Sequence, residues 1–190
     1  MARLLIASGN PGKLREYGRL LAGSGLELVG REPAVEETEG TYVGNAVQKA
    51  EAVATLTGAP ALGDDSGLEV EALGGFPGLR SARLAGTQEE RHRILFERLT
   101  GVPRPWRARF VCSVALAVPG QPTRSFTGEC GGELVEPRSG GRGFGYDPVF
   151  FVPEVGRTFD EMEPDEKDRW SHRAAALLAL LDSGALAAVR

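Results

Sequence analysis

Cysteine and histidine are nearly missing from this sequence, with two of each among 190 residues. Cys112 and Cys130 cannot build a disulfide framework, and neither has a His or Cys nearby at metal-ligand spacing, so reduced thiols are expected. Two histidines and no Gly-x-Ser-x-Gly segment leave no legible Ser/His/Asp nucleophile. No apolar run approaches the roughly 18 residues of a membrane span, and the stretch from Met1 to Ala7 is too short for a secretory signal core. A cytoplasmic protein is therefore expected. Excess positive charge is absent too: 22 Lys and Arg stand against 26 Asp and Glu, a net charge of -4. No overall field draws such a chain to nucleic acid or anionic lipid, and a small anionic ligand needs a local cluster of donors. There is no internal repeat, heptad run or low-complexity linker.

Glycine is what the chain has in excess, 26 residues where an average share is roughly 7%. The glycines fall between periodic segments, and loops so shaped are where function is sought. Residues 3–7 are an apolar run entering Ser8-Gly9-Asn10-Pro11-Gly12, which predicts a buried strand, a tight loop and then a helix from Lys13 to Ala22. A second strand is expected over 26–29. Thr41 is the N-cap of a helix through Val43, Ala46, Val47, Ala50 and Val53 that Gly58 closes. A short apolar piece over 59–63 leads into Asp64-Asp65-Ser66-Gly67 and an alternating strand with Leu68 and Val70 on one face.

Helical spacing returns over Thr87 to Leu99 with Ile94, Leu95 and Leu99 inward, and Arg91-His92-Arg93 then reads as the solvated face. Strict alternation over 108–118 and a second run over 123–135 predict a long hairpin. Gly140 to Pro148 is a glycine-rich loop feeding a strand at 149–152. The last helix starts near Ser171 with Ala174, Leu177, Leu178 and Leu181 as its apolar stripe. The fold class is α/β with a mixed parallel and antiparallel sheet, in one domain over residues 1–190.

Four segments carry chemistry. In the first, a strand delivers glycines and Lys13 to a helix N-terminus, where free N–H groups and the dipole favour phosphate. It is not a Walker A loop, because Ala7 and Leu14 occupy the required Gly and Ser/Thr positions. An ordinary strand-to-helix turn is the alternative. In the second, Asp65 or Asp64 with one of Glu36, Glu37 or Glu39 suits Mg²⁺, which takes one or two carboxylates plus substrate oxygens. In an extended chain only one of the two aspartates would face the ion; the alternative is an Asx-type turn. In the third, Phe144 and Tyr146 beside Asp147 suit stacking on and edge recognition of a base, or else core packing. In the fourth, Lys167 and Ser171-His172-Arg173 place cations at a helix start, where the dipole prefers anions. Either an acceptor-rich ligand or a solvated end explains them.

Taken in order, these segments resemble the inosine triphosphate pyrophosphatase family, enzymes that remove dITP, ITP and XTP from the nucleotide pool. The match runs nearly end to end. It rests on Ser8-Gly9-Asn10 with Lys13, Glu37-Thr38 ahead of Asn45-Ala46 and Lys49, Asp64-Asp65-Ser66-Gly67-Leu68, and Pro77-Gly78 with Ser81-Ala82-Arg83. Gly143-Phe144-Gly145-Tyr146-Asp147-Pro148 and Ser171-His172-Arg173 complete it. The resemblance implies a homodimer of two-lobed subunits with a central cleft. It also implies Mg²⁺-dependent hydrolysis of nucleoside triphosphates to monophosphate and pyrophosphate. By the same carry-over Ser8, Gly9, Asn10, Pro11, Gly12, Lys13 and Lys49 hold the triphosphate, Glu37 and Asp65 bind metal, and Asp65 is the catalytic base. Ser66, Phe144, Gly145, Tyr146, Asp147, Lys167, His172 and Arg173 surround the nucleoside. Gly44, where the family often has Glu, and Asp168, where an uncharged polar residue is common, depart from the pattern.

Overall fold

The computed structural model describes residues 2–138 and 141–189; Met1, Ser139, Arg190 and the first glycine of the expected loop, Gly140, lie outside the described residues. In chain order the elements are β1 (Ala2–Ala7), α1 (Pro11–Leu20), β2 (Leu26–Gly30), α2 (Tyr42–Thr57), β3 (Ala61–Val70), α3 (Gln88–Arg98), β4 (Trp106–Ala117), β5 (Arg124–Leu134), β6 (Phe150–Val152), β7 (Arg157–Thr158), α4 (Pro164–Trp170) and α5 (His172–Asp182). The strands form one seven-stranded sheet in the order β2-β1-β3-β4-β5-β6-β7. β1 pairs in parallel with β2 and β3, whereas β5, β6 and β7 pair antiparallel. The mixed sheet expected from the sequence is therefore present.

The chain forms two compact units, the first comprising residues up to Asp65, Cys112–Gly128 and Arg173 onward, the second Ser66–Val111 and Glu129–His172. In the first unit the apolar run of β1 buries both of its faces. Leu4 and Ile6 pack with Tyr17 and Leu21 at α1 and with Ala176, Leu177 and Leu180 of α5. Leu5 and Ala7 face Ala46, Ala50, Val53 and Ala54 of α2. Alternation along an extended chain sends successive side chains to opposite sides, so this strand binds helices on both. Thr41 caps α2 by accepting from the Gly44 N–H, and Gly58 ends the helix at φ 67°. That left-handed C-cap is open to glycine at no steric cost.

The second unit packs around Phe110, Phe150 and Phe159, whose ring centroids lie 4.7 to 5.9 Å apart. Leu68 and Val70 of β3, Leu95 and Leu99 of α3, and Val149, Val152 and Met162 fill the remaining core.

Several expectations need correction. β3 is one continuous strand, so Asp64-Asp65-Ser66-Gly67 is strand interior and not a turn. Charged partners on both sides of the strand satisfy the two carboxylates that local turn chemistry would otherwise have claimed. α1 begins at Pro11, because Asn10 supplies the cap and Pro at the first helical position loses no hydrogen bond. The inward stripe of α5 is Arg173, Ala176, Leu177 and Leu180, whereas Leu178 and Leu181 are exposed. Burial of Arg173 in an ion-pair cluster turns the helix by one position from the stripe that apolar residues alone suggest. The acidic stretch before it contains a helix, α4, started by Pro164.

Sheet and helix approach closely at Gly63, where an added Cβ would stand 2.3 Å from the Ala46 carbonyl oxygen and 2.7 Å from the Ala50 nitrogen. Both neighbours are backbone and cannot step aside. Gly63→Ala is expected to destabilise the protein by about 3 kcal/mol, at the upper end of overpacking costs, read as a lowered urea midpoint with an unchanged m-value.

Candidate active site

The loop between β1 and α1 is organised by its own side chains. Asn10 Oδ1 accepts from the N–H groups of Gly12 and Lys13 at 2.8 and 3.2 Å, and Ser8 Oγ accepts from the Asn10 N–H at 3.1 Å. Gly9 lies close to the exposed Glu32 side chain, whose carboxyl carbon would stand 3.0 Å from an added Cβ. Pro11 is exposed at the first helical position and Gly12 is buried behind it. Lys13, on the first turn, reaches across to β3 and donates to Asp64 at 2.9 Å.

Asp64 is the centre of a buried charge cluster. Arg173 Nε and Nη2 approach its Oδ2 at 3.4 and 3.5 Å, and the Cys112 thiol points to the same oxygen at 3.9 Å. Arg173 Nη1 donates in turn to Glu16. Burial would raise the Asp64 pKa, but Lys13, Arg173 and Lys49 outweigh it and hold the carboxyl well below the usual carboxylate range. Burial disfavours the charged form of Arg173, but Glu16 and Asp64 outweigh it and raise its pKa well above the usual value. The Cys112 thiol, buried beside a carboxylate, is pushed up to about 12 and stays protonated.

Asp65, the next residue, points the other way. Its Oδ2 accepts from the Asn45 side chain at 2.8 Å, and its Oδ1 lies 3.8 Å from Lys49 Nζ. Lys49 also meets Glu37 Oε1 at 2.7 Å. Two carboxylates thus approach one ammonium. Burial raises the Asp65 pKa, with Glu37 adding to it and Lys49 and the Asn45 hydrogen bond opposing. Among the described residues no group of three or more His, Cys, Asp or Glu is arranged to hold a metal ion. A pair of hard oxygen donors with a cation already between them fits an ion that draws its other ligands from water and substrate.

The remaining sequence-predicted residues lie in the second unit, except Arg173. Ser66 follows Asp65 within β3 and is half-buried. Phe144 is also half-buried, with Lys167 Nζ 4.9 Å from its ring centroid. Lys167 is itself buried and donates to Asp147 Oδ2 at 2.7 Å, the atom that also accepts from the Phe144 N–H at 2.8 Å. Gly145 takes φ 64° and its carbonyl contacts His92 Nε2 at 2.8 Å. Tyr146 is a core residue, its hydroxyl donating to the Ser81 carbonyl at 2.9 Å, so only Phe144 of the two loop aromatics offers a ring face outside the core. His172 stacks on Phe110 at 4.5 Å and 8°. Arg173 belongs to the first unit, where it meets Asp64 and Glu16.

Four residues with a positioning part were not read as such from the sequence. Glu16 lies one helical turn from Lys13 and beside the apolar stripe residue Tyr17, a placement that marks an inward-facing charge. Asn45 sits on the buried face of α2. His92 belongs to the core and not to the solvated face, since its ring packs on Tyr146 at 5.7 Å. Asp160 accepts from the N–H groups of Gly141 and Gly143. Nothing local in the sequence points to it.

The chain is similar to known proteins over most of its length. A Ham1 family model matches residues 4–183. The dITP/XTP pyrophosphatase of Geobacillus kaustophilus is 46% identical over 189 residues, covering 95% of this chain and 93% of that protein. The dITP/XTP pyrophosphatase of Symbiobacterium thermophilum is 47% identical over 185 residues with the same coverage. Among solved structures, a HAM1 protein from Coxiella burnetii superposes with a TM-score of 0.86 at 37% identity, covering 97% of this chain and 99% of its own. The Staphylococcus aureus Ham1 protein gives a TM-score of 0.82 at 35% identity, over 96% and 99%. The family resemblance that the motifs carry is thus met along the whole chain: the protein belongs to the Ham1 family.

Proposed function

We propose that this chain hydrolyses the non-standard purine nucleoside triphosphates dITP, ITP and XTP to nucleoside monophosphate and pyrophosphate, with Mg²⁺. That it is a nucleoside triphosphate pyrophosphatase rests on its family and on relatives that bear the name dITP/XTP pyrophosphatase. The observation that carries the mechanism is the pair of neighbouring aspartates with opposite surroundings. Asp64 is spent on Lys13 and Arg173, which leaves Asp65 as the carboxylate for chemistry.

Lys13 and Lys49 carry the positive charge that would meet the triphosphate, and each is already held by a carboxylate. Glu37 and Asp65 would hold the metal, which supplies charge neutralisation on the phosphate oxygens. A water attacking the α-phosphate needs a base in line, and burial makes Asp65 more basic than a solvated carboxylate, which suits it to that task. The base would stack on Phe144 and its 6-oxo group would take a hydrogen bond from Lys167. A polar pocket left unpaired by the 6-amino group of adenine discriminates strongly. The family resemblance supports a homodimer, a cytoplasmic location and a role in clearing the nucleotide pool.

A panel of ITP, dITP, XTP, ATP, GTP, dTTP and UTP, with and without Mg²⁺ and with pyrophosphate release as readout, tests the assignment. The 6-oxo, non-standard purines should be turned over in preference to ATP, and only with the metal. Equal rates on ATP and ITP would remove the specificity. Asp65→Asn is expected to lower kcat by about 10³-fold, within the range of lost general-base catalysis.

The two aspartates should also differ in stability. Asp64, with its folded pKa below the unfolded value, stabilises the protein above pH ~4 and loses that contribution as pH falls further. Asp65, with its folded pKa raised, carries a cost at neutral pH. Asp64→Asn should therefore lower the urea midpoint at pH 7, with the gap to wild type narrowing below pH ~4. Asp65→Asn should leave the midpoint at pH 7 unchanged or raised. Equal losses in both variants would contradict the division of roles.

A further inference from the structure

Between Gly141 and Gly145 alternate residues are glycine, so the loop has few side chains with which to hold its own shape. Its backbone is held from outside. Asp160 Oδ2 accepts from the Gly141 N–H at 2.8 Å and Oδ1 from the Gly143 N–H at 2.6 Å, a carboxylate fork across two amides. The Asp160 N–H closes the return path by donating to the Asp147 carbonyl at 3.3 Å. Asp160 is 3% exposed. It lies just after β7, in a turn that Glu161 fixes by accepting from the Thr158 N–H and hydroxyl at 2.8 and 3.1 Å.

From this anchor the connections run inward. Gly143 leaves room for Asp147, since a Cβ there would come within 2.5 Å of its carboxylate. Asp147 then takes the Phe144 N–H and the Lys167 ammonium on one oxygen, and that ammonium lies over the Phe144 ring. The loop, Phe144 and Lys167 are one connected assembly, with Asp160 at its outer end. Because the N–H groups of Gly141, Gly143 and Phe144 are all committed to these carboxylates, the loop presents side-chain groups and not a nest of amides. A carboxylate this buried is costly unless donors compensate it, so the fork holds the loop in one place.

We propose that Asp160 is a positioning residue for purine recognition: its two oxygens fix the loop that presents Phe144 and Lys167, and thereby set KM and base discrimination without touching the reacting phosphates. The inference rests on the reading of Phe144 and Lys167 as the base-facing groups.

Asp160→Asn keeps the shape but turns one arm of the fork into a donor facing a donor. Amide exchange at Gly141 and Gly143 should accelerate about tenfold or more, the loss of a hydrogen bond to a charged group. KM for ITP should rise about tenfold while kcat at saturation stays within about twofold, the pattern of lost binding without lost chemistry. Preference for ITP over ATP should fall with it. Gly143→Ala, which drives a methyl into Asp147 from the other side of the loop, should give the same split between KM and kcat, and it decides the matter if the Asp160 variant does not fold.

Wild-type KM and preference in both variants, or a fall in kcat at unchanged KM, would overturn the proposal. Phe144→Ala separates the two levels of inference. If it raises KM while the loop variants do not, only Asp160's part is lost. If it leaves KM untouched and the wild type does not prefer 6-oxo purines, the base-site reading fails and this proposal with it.

Discussion

The carboxylate of Asp64, 2% exposed, takes Lys13 from α1 on one side and Arg173 from α5 on the other. Such a group is affordable only if every partner is present, because a buried charge left without its counterion costs several kcal/mol. Glu16 completes the balance by meeting the far side of Arg173, so that two cations and two carboxylates cancel within the cluster. α1 contributes Lys13 and Glu16, β3 contributes Asp64, and α5 contributes Arg173. The helix that starts at the phosphate-type loop, the strand that carries Asp65 and the C-terminal helix are therefore fixed to one another by charge as well as by the apolar contacts of Tyr17, Leu4 and Leu177.

That arrangement explains how two identical neighbours take different parts. In a continuous strand successive side chains face opposite ways. Asp64 meets two cations and a thiol, and its proton is lost readily. Asp65 meets Asn45 and a lysine shared with Glu37, and burial is the larger influence on it. A solvated Asp-Asp pair in a turn could not be divided in this way, because water would screen both alike. The division depends on β3 running unbroken through the pair.

Much of this was legible in the sequence, and the gaps have physical causes. The strand at 2–7, the caps at Thr41 and Gly58, and the hairpin around residues 119–122 follow from local chemistry and emerge close to where it places them. The opposite orientations of Asp64 and Asp65 follow from alternation along an extended chain, whereas the ion pair of Glu37 with Lys49 has no local signal in the sequence. What failed was local inference against long-range compensation. Asp-Ser-Gly looks like a turn because Asp and Ser bond their own backbone well. Here Lys13, Arg173 and Asn45, distant in sequence, outcompete that backbone. His92 between two arginines looks solvated, yet the Gly145 carbonyl gives its ring a buried partner. The stripe of α5 was displaced by one residue for the same reason, since a buried arginine is invisible to a count of apolar positions.

The loop at residues 8–13 illustrates the difference between a phosphate-binding sequence and a phosphate-binding mechanism. Its polar side chains are occupied within the loop: Ser8 holds the Asn10 amide, and Asn10 holds the amides of Gly12 and Lys13. Pro11 has no N–H to give. Few amides of the first helical turn are then left to cradle an anion, in contrast to a P-loop, where the backbone does most of that work. The burden shifts to lysine ammonium groups, and these are placed in advance. Lys13 rests on Asp64, which the ion cluster holds in place, and Lys49 on Glu37. A charge already oriented by a rigid partner needs little reorganisation when a phosphate arrives, which is the condition under which electrostatic stabilisation accelerates a reaction most. The ion cluster of Asp64, Glu16, Arg173 and Lys13 thus serves the site directly: it sets the position of the first lysine before any substrate is bound.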